Sequence, residues 1–160
     1  MAKKRIGLCI GLLILNVLFI WGNSLLPREA SAAFSAWISD ILNFLFPGPD
    51  IPSSGEGHGI LRKMAHFTEF CSLGLLLSWL LTMLSREPWH RILLPALIGA
   101  AVAGADETIQ MFVPGRGPGL VDVAIDTAGV LLGIALWHLI AAIRKRKARN
   151  CKVSCKQKSE

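Results

Sequence analysis

ILRKMAHFTEFCSLGLLLSWLLTML, residues 60–84, is long and apolar enough to cross a bilayer, and its charged residues and its histidine all fall within its first ten positions. A membrane-spanning helix needs about 20 predominantly apolar residues. Arg62, His66 and Glu69 have the spacing i, i+4 and i+7, which places them on one face of a helix. The segment therefore predicts a membrane-spanning helix with a polar face near its start.

Three further apolar segments accompany this one along the chain. They cover residues 6–21, 92–113 and 121–143. The connections that join the last three segments are short, so neighbouring helices run antiparallel. We therefore predict an all-α integral membrane protein, a four-helix up-down bundle that forms one membrane domain over residues 1–143 and ends in a basic tail over 144–160.

The composition excludes a soluble domain. The 160 residues have a mean hydropathy of +0.51, and 52% of them are hydrophobic. A soluble protein of this size buries only about two thirds of its surface. The remaining apolar residues would form exposed patches that aggregate, and a bilayer removes that problem.

The basic residues indicate the orientation of the bundle. Thirteen of the 17 Lys and Arg residues fall before the first segment, between residues 85 and 91, or in the tail. Cytoplasmic ends carry such an excess, so both termini are predicted to be cytoplasmic. The basic excess comes with no groove-reading motif, so nucleic-acid binding is not expected.

The first 59 residues contain two ambiguous features. Residues 6–21 are either a retained anchor or a signal peptide cleaved near Ala30-Ser31-Ala32. We favour the anchor, because that site lies nine residues beyond the apolar segment. Residues 34–46 are too short to span and predict an amphipathic helix in the outer membrane interface. A loop is predicted over residues 47–59.

A set of polar residues is predicted to meet at the outer end of the bundle, because the segments that carry them alternate in direction. Asp106 lies about 21 Å along its helix from Ile92, at 1.5 Å per residue. A charge facing lipid at that depth costs several kcal/mol, so these side chains should point into the bundle. The predicted outer site consists of Lys63, His66, Glu69, Asp106, Glu107, Gln110, Arg116, Asp122 and Asp126.

The charges of this site do not balance. Arg62, Lys63 and Arg116 face five acids, so full pairing leaves two acids that require His66, protonation, a metal ion or a cationic ligand. No cofactor is predicted, although the sequence does not exclude binding of a divalent cation. A purely structural network of ion pairs is the alternative interpretation. The PGRGPG segment, residues 114–119, is either an anion-binding turn or a simple tight turn.

Small residues predict where helices approach closely. Gly129 and Gly133 form a GxxxG pattern, and Ala100 and Gly104 supply small side chains in the preceding segment. His138 is predicted only to be an interfacial residue.

The polar motifs resemble those of the VanZ-like family of bacterial membrane proteins, whose namesake is a teicoplanin-resistance protein. The resemblance covers residues 60–135. It rests on Lys63-x-x-His66-Phe67-x-Glu69-Phe70-x-x-x-Gly74, Asp106-Glu107-x-x-Gln110-x-Phe112-x-Pro114-Gly115-Arg116 and Asp122-x-x-x-Asp126-x-x-Gly129. The family pattern more commonly has Asn where this chain has Asp126.

The resemblance implies a location in the bacterial cytoplasmic membrane and lowered susceptibility to teicoplanin-type glycopeptides. The first hypothesis is an outer site that binds a lipid-anchored or anionic envelope component, with the bilayer as the other partner. The second is a membrane enzyme, metal-dependent or not, that acts on a lipid-linked envelope substrate. The third is a proton- or cation-linked carrier. The absence of HExxH, GxSxG and comparable motifs disfavours the enzyme. The sequence does not decide whether the protein forms a homo-oligomer.

Overall fold

The computed structural model describes residues 2–45, 56–114 and 119–157 and is built from five α-helices. These are α1 (Ala2–Leu25), α2 (Arg28–Leu45), α3 (Glu56–Leu84), α4 (His90–Gln110) and α5 (Leu120–Gln157). The described part of the chain contains no strand. The predicted all-α fold is therefore confirmed.

Four of the helices are long and apolar enough to cross a membrane. They provide the segments Lys3–Leu25, Gly59–Leu84, His90–Gln110 and Leu120–Asn150. Large apolar side chains point away from the bundle, as with Leu15 and Leu18 of α1, which are 64% and 61% exposed. Lipid covers such a surface at no cost, so the chain is a multi-pass membrane protein.

The helix ends differ from the predicted spans, because helical hydrogen bonding does not begin and end with the apolar residues. The first helix ends at Leu25 rather than at residue 21, and α3 begins at Glu56 within the predicted loop. Residues 47–55 of that loop lie outside the described residues. The fourth helix ends at Gln110, not at residue 113, in tight turns that precede Pro114. The last helix continues through the basic segment to Gln157.

The predicted interfacial helix is present but longer than expected. It begins at Arg28, directly after Pro27, and the predicted start was residue 34. Two of its aromatic side chains are exposed, Trp37 at 59% and Phe44 at 85%. The helix packs against α3. Its position in the membrane interface stays a prediction, and its predicted last residue, Phe46, lies outside the described residues.

The bundle is built around α3, which contacts every other helix and packs most closely against α5. Gly129 and Gly133 bring the two backbones together, because a Cβ atom on either would meet the carbonyl oxygen of Phe67 or Cys71 of α3. The predicted close packing at these two glycines is confirmed. The prediction for Gly104 is wrong, because a Cβ atom there would meet open space, and Gly99 is the α4 glycine that fits against Val130.

At the end of the bundle opposite the acidic residues, a side chain of α5 replaces a backbone hydrogen bond that is missing from α4. Pro95 is buried inside α4 and has no N–H to donate to the carbonyl of Arg91, four residues earlier. His138 of α5 lies with its Nε2 atom 3.3 Å from that carbonyl oxygen and donates to it. A neighbouring helix thus satisfies the group that proline frees, a role beyond the interfacial one that the sequence predicts for His138.

We expect His138→Ala to lower the free energy of unfolding by about 1 kcal/mol, the value of one hydrogen bond. The loss should disappear in a Pro95→Ala background, where the residue 95 N–H supplies the missing donor. Unfolding of the purified protein in mixed detergent micelles, followed by helical circular dichroism, measures all four variants of the cycle. A His138→Ala penalty that is the same with and without Pro95 would contradict the assignment.

Candidate functional site

The polar residues of three helices meet at one end of the bundle, where α4 ends and α3 and α5 begin. We call this set the polar cluster. It consists of Lys63, His66, Glu69, Asp106, Glu107, Gln110, Asp122 and Asp126. Antiparallel packing of consecutive helices produces the convergence, as the alternating directions predict. Arg116, the remaining residue of the predicted site, lies outside the described residues.

The end of α4 contributes the most deeply buried part of the cluster. Asp106, Glu107 and Gln110 are 0%, 6% and 5% exposed. Asp106 and Gln110 are one helical turn apart, and Gln110 Nε2 donates to Asp106 Oδ2 at 2.7 Å. The other oxygen, Asp106 Oδ1, is buried and accepts no hydrogen bond from the described residues. Asp106 is thus held in one orientation with a single carboxylate oxygen left over.

The first helix supplies partners that the sequence analysis missed. Asn23 Nδ2 donates to Glu69 Oε1 at 2.7 Å, and Gln110 Nε2 lies 3.3 Å from Ser24 Oγ. Both residues lie beyond the predicted end of the first span at residue 21. A signal was available, because Asn16 and Asn23 are seven residues apart and share one helix face. Asn16 Nδ2 donates to Ser72 Oγ on α3 at 2.7 Å.

The start of α5 contributes two acids in different surroundings. Asp122 Oδ1 lies 3.2 Å from Lys63 Nζ, and both side chains are partly exposed, at 25% and 43%. An ion pair this exposed contributes little to stability. Asp126 lies one turn deeper and is 2% exposed. No Lys or Arg among the described residues lies within 4.0 Å of its carboxylate.

The turn between α4 and α5 is described only at its ends, since residues 115–118 lie outside the described residues. At its far end the N–H of Gly119 donates to Glu107 Oε2 at 2.9 Å. This N–H therefore binds a carboxylate of the protein itself. The predicted anion-binding turn has one fewer backbone donor for an external anion than its sequence allows.

His66 lies at the centre of the acids. Its Nδ1 atom is 3.8 Å from Glu69 Oε2, which is within ion-pair distance and too long for a hydrogen bond. One ring nitrogen of His66 and one carboxylate oxygen each of Asp106 and Asp126 lie within 4.8 Å of one another. Among the described residues, these three have donor atoms that lie close enough together to bind one metal ion.

Two cavities adjoin the cluster and differ in size and character. A polar pocket of about 10 Å³ is lined by His66, Glu107, Asp126 and neighbouring polar residues. That volume accommodates about one water molecule or one ion. A groove of about 610 Å³ lies between α1 and α3, with Phe19 and Met64 in its largely apolar wall. Arg62 and His66 line both cavities, so the groove and the polar pocket adjoin at these two side chains.

Comparison with known proteins identifies the family. No curated protein and no solved structure matches the chain. The family model described as VanZ/LLP1 matches residues 8–141, which include the whole polar cluster and most of the four long helices. The match extends beyond residues 60–135, where the sequence motifs are recognisable, and takes in the part of α1 that carries Asn23 and Ser24. The chain therefore belongs to the VanZ/LLP1 family.

Proposed function

We propose that this protein lies in the bacterial cytoplasmic membrane, binds a lipid-linked, anionic envelope component at its polar cluster, and thereby lowers susceptibility to teicoplanin-type glycopeptides. The observation that carries the proposal is the pair of residues, Arg62 and His66, shared by the groove and the polar pocket. A lipid chain in the groove places its head group beside these two side chains. Phe19 and Met64 of the groove wall are each 57% exposed, so a lipid-linked molecule would reach the groove from the bilayer.

Arg62 is the group that would bind the anionic head. No carboxylate lies within 4.0 Å of its guanidinium in the described part of the chain, whereas Lys63 is paired with Asp122. An arginine binds a phosphate or carboxylate through two parallel hydrogen bonds. Holding the head group beside the bundle would restrict the access of a lipid-anchored drug to it.

The proposed orientation places the polar cluster on the outer side of the membrane. Arg5 near the start of α1 and Arg144 of α5 line one groove, together with Trp79 and Trp137. This groove lies at the end of the bundle opposite the polar cluster. Basic and aromatic residues at one end are typical of the cytoplasmic interface, which supports cytoplasmic termini.

A membrane-embedded enzyme that acts on a lipid-linked envelope substrate is the second candidate. What favours it is the position of His66, whose ring lies among the carboxylates of Glu69, Asp106 and Asp126. An imidazole beside carboxylates is suited to general acid–base catalysis. Turnover of a lipid-linked substrate by the purified protein would distinguish an enzyme from a binding protein.

Arg62→Gln tests the binding function. We expect the wild-type chain to raise the teicoplanin concentration that inhibits a susceptible strain, and Arg62→Gln to remove most of the increase. Loss of a charge-assisted hydrogen bond costs about 1.5–3 kcal/mol, which corresponds to roughly ten- to a hundredfold weaker binding. Growth curves across a drug series, with immunoblots of membrane fractions, provide the measurement.

Arg86→Gln is the matched control, because Arg86 is exposed in the turn after α3, at the opposite end of the bundle. It should keep the wild-type effect. Full protection by Arg62→Gln at wild-type abundance would contradict head-group binding at this residue. If both variants lose protection equally, the effect depends on overall positive charge rather than on Arg62.

A further inference from the structure

We propose that His66, Asp106 and Asp126 form a binding site for a divalent transition-metal ion. The three residues come from α3, α4 and α5, and their donor atoms lie within 4.8 Å of one another. The proposal goes beyond the proposed function, since an ion can bind here whether or not an envelope component does.

The unpartnered oxygen of Asp106 is the strongest sign of a ligand. Asp106 has no exposed surface, and Gln110 occupies its Oδ2 atom. The Oδ1 atom is buried with no hydrogen-bond donor among the described residues. A buried carboxylate oxygen with no partner is costly, and a metal ion supplies the missing interaction. Gln110 acts as a positioning residue, because it fixes the carboxylate so that Oδ1 is the free ligand atom.

The charge around the three residues also favours a cation. Asp106 and Asp126 are 0% and 2% exposed, and neither lies within 4.0 Å of a Lys or Arg in the described ranges. Lys63 is paired with Asp122. A doubly charged ion would neutralise the carboxylates of both Asp106 and Asp126.

The donor set and the space available narrow the kind of ion. One imidazole nitrogen and two carboxylate oxygens suit Zn²⁺ or Mn²⁺, because imidazole favours transition metals and carboxylates favour harder ions. Bonds of about 2.1 Å place ligand atoms roughly 3.0–3.4 Å apart, so small side-chain rotations close the site. The adjoining pocket of about 10 Å³ has room for one water molecule, which would complete the coordination.

Direct ion binding to the full chain tests the site. The protein is purified in detergent, stripped with a chelator, and titrated with Mn²⁺ under electron paramagnetic resonance, followed by competition with Zn²⁺. We expect one ion per chain, and about a hundredfold or greater loss of affinity in Asp126→Asn, which removes a ligand without changing its size. Asp40→Asn, an exposed acid of α2, should bind as the wild type does.

Asp122→Asn separates ligation from general negative charge. It removes one acid from the same cluster without removing a proposed ligand, so its loss of affinity should be clearly smaller than that of Asp126→Asn. Equal losses in the two variants would overturn the site in favour of diffuse attraction. Absence of Mn²⁺ and Zn²⁺ binding by helical, monodisperse wild-type protein at millimolar ion would also overturn it, whatever the variants do. Because the readout is ion binding, the result stands apart from any effect on drug susceptibility.

Discussion

Gly133→Leu should leave no stably folded bundle. A Cβ atom at residue 133 falls on the carbonyl oxygen of Cys71 and close to the N–H of Leu75, both on the backbone of α3. Backbone atoms cannot rotate away as a side chain does, so the substitution forces α3 and α5 apart along their closest contact. Overpacking a core commonly costs 1–3 kcal/mol, and separating the two most closely packed helices should cost at least about 3 kcal/mol.

Membrane abundance and resistance to denaturant provide the measurement for Gly133→Leu. Gly104→Leu is the matched control, because a Cβ atom at residue 104 meets no atom within 4 Å. Its effect should stay within about 0.5 kcal/mol, as for other positions with free space. Normal abundance and stability of Gly133→Leu would mean that α3 and α5 do not pack through this glycine.

The contrast between these two glycines shows what a sequence pattern can and cannot predict. The GxxxG spacing correctly predicts that Gly129 and Gly133 face a close neighbour, since both lie on one helix face. It does not say which helix the neighbour is. For Gly104 the prediction rests on residue size alone, and the helix rotation that makes Gly99 the contact residue depends on how α4 packs against α5.

The helix ends show a second limit. A hydropathy pattern follows the apolar residues, and the first apolar segment stops at Trp21. The helix itself continues to Leu25, because Asn23 and Ser24 bind polar partners inside the bundle and need no water. The hydropathy pattern therefore predicts the first membrane helix but not its last turn, whose side chains bind Glu69 and Gln110 of the polar cluster.

Most of the polar cluster could be predicted because charge inside a membrane is expensive. Glu69, Asp106 and Asp126 come from three helices, and only convergence in the bundle interior keeps all of them away from lipid. The sequence does not predict which side chains of the cluster pair with each other. Nothing in its spacing distinguishes Lys63 as the partner of Asp122, or Gln110 as the donor that holds Asp106.

Asp106→Asn should abolish the proposed effect of the protein on glycopeptide susceptibility while leaving its membrane abundance close to normal. Asparagine keeps the size of the side chain, and its amide oxygen can still accept from Gln110. The substitution removes a buried negative charge beside Asp126, which should not destabilise the bundle. It also removes the unpartnered carboxylate oxygen that a ligand, metal ion or proton would use. Inhibitory concentrations should fall to those of the strain without the chain.

Two comparisons decide what a loss in Asp106→Asn means. Glu29→Gln neutralises an exposed acid of α2 and should retain the wild-type effect. Glu69→Gln neutralises a second acid of the polar cluster, and its amide oxygen can still accept from Asn23. If Asp106→Asn and Glu69→Gln lose the effect at normal abundance, the acids act in function. If both keep the wild-type effect at normal abundance, the cluster has no part in drug susceptibility. If both variants lose the effect and their membrane abundance falls as well, the cluster acts instead as a structural network that fixes the register of the helices.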